Sequence, residues 1–504
     1  MNFIFYIFNI VFSFISRSFF IRILGADING LNSLYMSLIG FLNVAELGVG
    51  AAVGYSLYEP LSKKKYFKIN DIMILFKYYY INIAKIILIL GSVLSLFLKF
   101  LVKGQVNINL AYIYYFLYLI NCSISYLFTY KQTLIIADQK QYKIAYVLNT
   151  TKIMKMIVQC ILLYVTKSFF VWILLEILFN LLGMILVNHK INLEYKNNIT
   201  YKSNKSIKII KNENFRIGKN IRNVFFHKLA GFVVGQTDAI LISIFSNLKE
   251  TGIYTNYIMI ISALTGLLGT VIGSVMPSIG NLIAEESKEK SYKIFKKLYL
   301  LDNLLAGFIS FGVYKLINEF IIFWVGKEYL FSNYIVMILV INLYIQISRG
   351  TVDRFKDGFG IYWDVFAPII ESIINLIFSL LLAWKFGIVG IFIGTIISNI
   401  VIVELWKPYI VFKEGFNIKI SNYVKQKLDI LTKNILIILF SNIIYEFISR
   451  YIIINNIFLK IILDVILISL IYFIFIYILY YKNQEFKELF KMIYYKIYYN
   501  KSKA

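Results

Sequence analysis

Few residues in this sequence could do chemistry, and nearly all of them stand in apolar surroundings. Arg17 and Arg22 fall in the first apolar run. Lys77, Lys85, Lys152, Lys155 and Lys228 fall in later ones, with Glu46, Glu176, Asp238, Glu371 and Glu404 as acidic counterparts. An ionised side chain at mid-bilayer costs roughly 2.5–3.5 kcal/mol on insertion scales, so each must face a cavity, a partner or the interface. A guanidinium binds phosphate oxygens in pairs and stays charged when partly desolvated, whereas an ammonium acts as a point charge. Cations of this kind around a cavity suit an anion such as a phosphate or pyrophosphate. The carboxylates would either neutralise those cations or take up a proton or coupling ion.

No other chemistry is visible. The two cysteines (Cys122, Cys160) and two histidines (His189, His227) lie far apart with no ligand spacing. There is no phosphate-cradling Gly-rich loop, no Ser-His-Asp constellation and no metal-ligand cluster, one of which an ATP-driven pump or a membrane hydrolase would need. No catalytic residue, metal or cofactor is expected.

The elements that must position these residues follow from composition. The 504-residue chain is 59% hydrophobic and 16% charged, against about 45–50% and about 25% for soluble domains. Apolar runs of about 20 residues, each enough for one bilayer crossing, recur near 3–24, 31–58, 73–98, 108–130, 144–166, 168–188, 224–246, 253–281, 298–323, 332–348, 362–384, 388–406, 434–449 and 457–481. Strand-like alternation is absent, so a barrel is excluded. The expectation is an all-α polytopic membrane protein with about 14 transmembrane helices.

Charge sets the orientation. The net charge is +25, and on a membrane protein such an excess reads as basic cytoplasmic loops rather than nucleic-acid binding. Clusters at Lys63, Lys64, Lys65 and Lys68, between Lys190 and Arg222, between Lys288 and Lys297, and beyond Lys482 share one side if the N-terminus is cytoplasmic. Both termini are therefore expected in the cytoplasm, with no outer connection long enough for a catalytic domain. Arg17 and Arg22 stand near the outer end of the first span, against this rule, which favours a cavity position for Arg17. Lys77, Lys152 and Lys155 read as snorkelling side chains; Lys85 and Lys228 divide evenly between snorkelling and a cavity. For Glu46 and Asp238 the simplest reading is an internal ion pair, with Arg17 or Lys228, and the functional one a coupling-ion or proton site. Glu371 and Glu404 are similar.

The polar stretch near 189–222 separates two blocks of six spans, and a repeat links them. Gly30-Leu31-Asn32-Ser33-Leu34-Tyr35 opens the second span and Gly252-Ile253-Tyr254-Thr255-Asn256-Tyr257 the eighth, sharing Gly, aliphatic, x, hydroxyl, x, Tyr. The expected organisation is a six-helix lobe over 1–189, a cytoplasmic linker over 190–222, a second lobe over 223–412, and a final helix pair with a basic tail over 413–504. Two parallel lobes around a central cavity work by rocking one against the other.

Three blocks carry a family resemblance. The first is Arg17-Ser18-Phe19-Phe20-Ile21-Arg22-Ile23-Leu24-Gly25-Ala26-Asp27-Ile28-Asn29-Gly30-Leu31 with Ala45-Glu46-Leu47-Gly48-Val49-Gly50. The second is Gly252 to Tyr257 with Ser278-Ile279-Gly280-Asn281-Leu282. The third is Pro368-Ile369-Ile370-Glu371, Asn375, Phe386-Gly387-Ile388-Val389-Gly390 and Gly394-Thr395-Ile396-Ile397-Ser398, closing with Trp406 and Pro408. Over roughly 3–412 the chain resembles Wzx-type O-antigen and capsule repeat-unit flippases, of the multidrug/oligosaccharidyl-lipid/polysaccharide exporter superfamily with its MATE-like fold. The last two helices fit by number alone. The resemblance implies a non-enzymatic carrier of undecaprenyl-diphosphate-linked oligosaccharide in the bacterial cytoplasmic (inner) membrane. Its partners would be that lipid-linked substrate, membrane lipids, and the polymerase and glycosyltransferases of the pathway, with no nucleic acid. Arg17, Arg22, Lys85 and Lys228 are the diphosphate-binding candidates, and Glu46, Asp238 and Glu371 the ion-coupling or ion-pair candidates. The alternatives are a MATE-like exporter of cations or drugs, which would prefer an acidic cavity, and a polysaccharide polymerase or ligase, which would carry a large outer loop.

Overall fold

The computed structural model describes residues 2–46, 48–103, 106–196, 199–201, 203, 205–215, 217–218, 221, 225, 237–273, 276–361, 363–364, 366–452, 454–489 and 491. It is an all-α polytopic membrane protein. Among the described residues twelve helices are long and apolar enough to cross a bilayer. Many large apolar side chains point outward, including Leu470, Phe473 and Ile474 near the C-terminal end, at 59%, 55% and 57% exposure. Patches of this extent belong in lipid rather than water.

Twelve differs from fourteen for two reasons. The expected span at 224–246 lies largely outside the described residues, although 237–245 is helical. The first two expected spans run together as α1 (Asn2–Leu42), broken at Gly25, where φ is 82° and ψ 178°. That backbone conformation is essentially open to glycine alone. Residues 17 and 33 of a straight helix would lie about 24 Å apart, yet the side chains of Arg17 and Ser33 come within 3.4 Å. The chain therefore folds back at Gly25, and the expected loop there is a kink one residue wide. A second break follows at Gly48, with φ 91°, before α2 (Val49–Ser62).

The remaining long helices are α3 (Tyr66–Ser95), α4 (Ile108–Ala137), α5 (Tyr142–Thr166), α6 (Phe169–Glu194), α7 (Leu248–Gly273), α8 (Lys288–Trp324), α9 (Asn333–Ser348), α10 (Phe366–Phe386), α11 (Ile388–Ser398), α12 (Ile420–Ser449) and α13 (Ile457–Tyr480). Local signals start several of them. Asn107, Ser287, Ser332 and Asn456 each accept a backbone N–H from the first turn that follows, satisfying donors the helix leaves open. α9 continues as Gly350–Gly358, and α11 continues to Phe416 through two π-helical stretches.

The chain divides into two compact units, Met1–Thr255 and Asn256–Ala504. In the first, α3 packs on α4, α5 on α6, α1 on α5 and α4 on α6. A knot of charge closes one end of α4, α5 and α6: Lys140 reaches Asp138 at 2.8 Å and Glu194 at 3.0 Å, and Lys143 reaches Glu194 at 2.7 Å. In the second, α8 contacts α9, α12 and α13, around an aromatic core of Phe295, Tyr299, Phe311, Phe355, Phe412 and Tyr472. Asp302 of α8, 2% exposed, accepts hydrogen bonds from Arg354 at 2.5 Å and Thr351 at 2.6 Å.

Candidate functional site

The site is built on the fold-back at Gly25. Ser33 stands eight residues beyond the kink and Arg17 eight before it, so the two meet across the hairpin. The start of α7 lies against the same place. A Cβ on Gly30 would fall 1.7 Å from the carbonyl oxygen of Leu248, and one on Gly252 would fall 2.6 Å from that of Ala26. Only two facing glycines allow backbones this close. Asn29, fully buried, seals the contact by donating to the Gly252 carbonyl at 2.9 Å.

The repeat found in the sequence is thus a contact in space. The first residues of the two hexapeptides, Gly30 and Gly252, pack together. The fourth residues pair, Ser33 Oγ donating to Thr255 Oγ1 at 2.9 Å. Arg17 Nη2 donates to both hydroxyls, at 2.8 Å to Thr255 and 3.4 Å to Ser33. The sixth residues serve their own surroundings: the Tyr35 hydroxyl donates to the Ala111 carbonyl at 2.6 Å, and that of Tyr257 to Asn318 Oδ1 at 2.6 Å. Tyr118, an electrostatic neighbour of Arg17, donates its hydroxyl to Asn32 Oδ1. The Arg17 guanidinium is thereby held by two hydroxyls across the hairpin.

The other sequence candidates scatter. Arg22 is exposed on α1. Lys85 is exposed on α3, one turn from Ile89, which is 64% exposed, so it shares the outward face. Lys228 lies outside the described residues. Glu46 does not pair with Arg17: it accepts the Tyr80 hydroxyl at 2.8 Å and the Gly50 amide at 3.3 Å, because the turn at Gly48 aims it back at its own helix and α3. Asp238 accepts the Tyr254 hydroxyl at 3.2 Å, and its Oδ1 is buried with no hydrogen bond among the described residues. Glu371 lies in the field of Lys407, Arg349 and Asp353, and Glu404 pairs with Lys427.

Sequence reasoning missed the partners. Lys155 does not snorkel; it is held by Glu176 of α6 at 2.5 Å. Ser33, Thr255 and Asn29 were not singled out for a role, although the hydroxyl shared by both hexapeptides was the available signal. A buried polar pair, Asn375 donating to Thr395 at 3.0 Å, joins α10 to α11. Only helix packing brings it together.

Neither a family model nor a curated protein matches this chain. Solved structures do. The lipid II flippase MurJ, in an inward closed conformation, superposes with a TM-score of 0.68 over 95% of this chain and 98% of its own, at 15% identity. The fold is that of MurJ and the MATE transporters. An inward-facing multidrug resistance MATE transporter of the MOP superfamily gives 0.55 over 79% of this chain and 93% of its own, at 16% identity. The Vibrio cholerae MATE transporter VcmN gives 0.53 over 82% and 95%, at 15% identity. These neighbours are a flippase and transporters, and the chain has their architecture. MurJ covers a larger share of this chain than either MATE protein.

Proposed function

We propose that this protein is a non-enzymatic flippase that carries undecaprenyl-diphosphate-linked oligosaccharide repeat units across the cytoplasmic membrane for surface-polysaccharide synthesis. The observation that carries the reading is Arg17, held by the Ser33 and Thr255 hydroxyls where the two hexapeptides meet. A sugar chain cannot cross about 30 Å of hydrocarbon unaided, because each unpaired hydroxyl carries a desolvation cost. A polar cavity removes that cost, and an arginine in it holds the diphosphate while the lipid tail stays in the bilayer. MurJ is a lipid II flippase, and its likeness covers 95% of this chain. An apolar cleft of about 450 Å³ between α8 and α13, lined by Leu304, Phe308, Phe473, Ile476 and Leu489, has the chemistry to accept an isoprenoid tail. Asp238, hydrogen-bonded to Tyr254, is the proposed coupling-ion or proton site.

The MATE likeness favours a second reading, export of cationic drugs, for which Asp238 rather than Arg17 would bind the substrate. The two separate on one experiment. An Arg17→Ala strain with unchanged protein level should lose surface-glycan export and keep its drug sensitivity. Unchanged export would contradict the flippase reading, and altered drug resistance would favour the exporter.

A further inference from the structure

We propose that the N-terminal unit holds a second phosphate-binding subsite, a polar cavity between α4, α5 and α6 in which Lys152 is the anion-holding cation. The cavity measures about 370 Å³; its polar lining comes from Thr129 and Gln132 of α4, Asn149, Lys152 and Lys155 of α5, and Asn180 of α6, beside apolar Leu148, Phe179 and Met184.

The face of α5 decides what Lys152 is for. The buried residues of this helix include Met156, Gln159 and Leu163, which lie four, seven and eleven positions beyond Lys152 and so share its face. Its lipid-facing side carries Met154, Ile157 and Ile161, at 53%, 42% and 58% exposure. Snorkelling needs a path along the lipid side. Lys152 is exposed although it stands on the packed side, so what it is exposed to is the cavity.

α6 presents a matching inner row: Ile173, Glu176, Asn180, Gly183 and Val187 at spacings of three and four. Glu176 is saturated. It takes Lys155 at 2.5 Å, Gln159 at 3.1 Å and Asn180 at 3.5 Å. Glu176 pairs with Lys155 and also acts on Lys152, so two lysines against one carboxylate leave a net positive charge here. The wall is tight at Gly183, where an added Cβ would come 3.2 Å from Thr151 Oγ1. Amide and hydroxyl groups around a net positive charge suit a phosphate or diphosphate group.

Tyr118 lies in the electrostatic field of both Arg17 and Glu176. The biological source of the anion rests on the proposed function; the binding chemistry does not.

The test is amine-acylation footprinting of the full-length protein in nanodiscs, read by mass spectrometry at Lys152 and Lys85. Two probes are used, inorganic pyrophosphate and farnesyl diphosphate. Either probe should slow acylation of Lys152 about tenfold, as expected for a charge-assisted contact, in wild type and in Arg17→Ala, and leave Lys85 unchanged. Protection by farnesyl diphosphate at lower concentration identifies a lipid-linked ligand, and equal protection identifies free phosphate; both support the subsite. Glu176→Gln, which releases Lys155 and removes a negative charge, should tighten pyrophosphate binding. Failure of both probes to protect Lys152, or unchanged binding in Glu176→Gln, would overturn the inference. Loss of export in Arg17→Ala alongside an unprotected Lys152 would leave the proposed function standing without it.

Discussion

Ser33 and Thr255 are 222 residues apart and occupy the same place in two like hexapeptides, and their hydroxyls meet at 2.9 Å with Arg17 Nη2 donating to both. One cation is thereby oriented by both copies of a repeated motif. The relationship depends on three glycines: Gly25 at the reversal, and Gly30 and Gly252 at the close approach. Each can be perturbed separately.

Gly25→Ala puts a Cβ on a backbone with φ 82° and ψ 178°, a strain of about 1–3 kcal/mol. No neighbouring atom lies within 4 Å of that Cβ, so the cost is conformational rather than steric. The variant should melt at lower temperature and export less glycan, because the hairpin that brings Arg17 to Ser33 opens. Scanning fluorimetry in detergent and surface-glycan staining check both.

Gly30→Ala meets backbone, not a yielding side chain, and should cost at least the roughly 1–3 kcal/mol of an overpacked core. Gly54→Ala is the control, since its Cβ would meet Thr133 Cγ2 at an ordinary 3.6 Å. A lower melting temperature for the first and an unchanged one for the second is the expected result.

Both copies of the hexapeptide were legible in the sequence because type and spacing repeat within it. Their contact was not, since nothing local says that residue 33 meets residue 255. The helices were legible because a bilayer imposes their length. The Gly25 reversal was missed as a kink because two spans joined by a single residue leave no polar loop to read. Lys155 looked like a snorkelling residue because Glu176 sits on another helix, 21 residues away, and an ion pair between helices leaves no local pattern. Lys152 also reads as a snorkelling side chain from the sequence, because only the structure shows which face of α5 is packed and that Lys152 stands on it.

Asp302→Asn should destabilise the C-terminal unit strongly. Arg354, whose side chain is 14% exposed, would lose the carboxylate it meets at 2.5 Å, and breaking a buried pair from one side costs about 3–5 kcal/mol. The double variant Asp302→Asn/Arg354→Met should recover part of the loss. A double-mutant cycle on thermal unfolding measures the coupling.

Glu485 lies beyond α13, in the short helical stretch 484–489. Burial alone would raise its pKa, but the hydrogen bond from Lys296 at 2.8 Å and the charge behind it bring the net value below the usual carboxylate range. A carboxyl lowered in the folded state stabilises above its unfolded pKa of about 4.3 and loses that contribution as pH falls through the lower folded value. Protection factors for hydrogen exchange in residues 482–489 should therefore fall below about pH 4. In Lys296→Met the segment should already be less protected at neutral pH, with a smaller change on acidification.

Translocation itself is tested in a deletion strain. Its lipid fraction would be extracted and the diphosphate-linked repeat units quantified on each face of the cytoplasmic membrane. Complete units trapped on the cytoplasmic face are the predicted result. Unpolymerised units already on the outer face would contradict it and place the missing step in polymerisation or ligation.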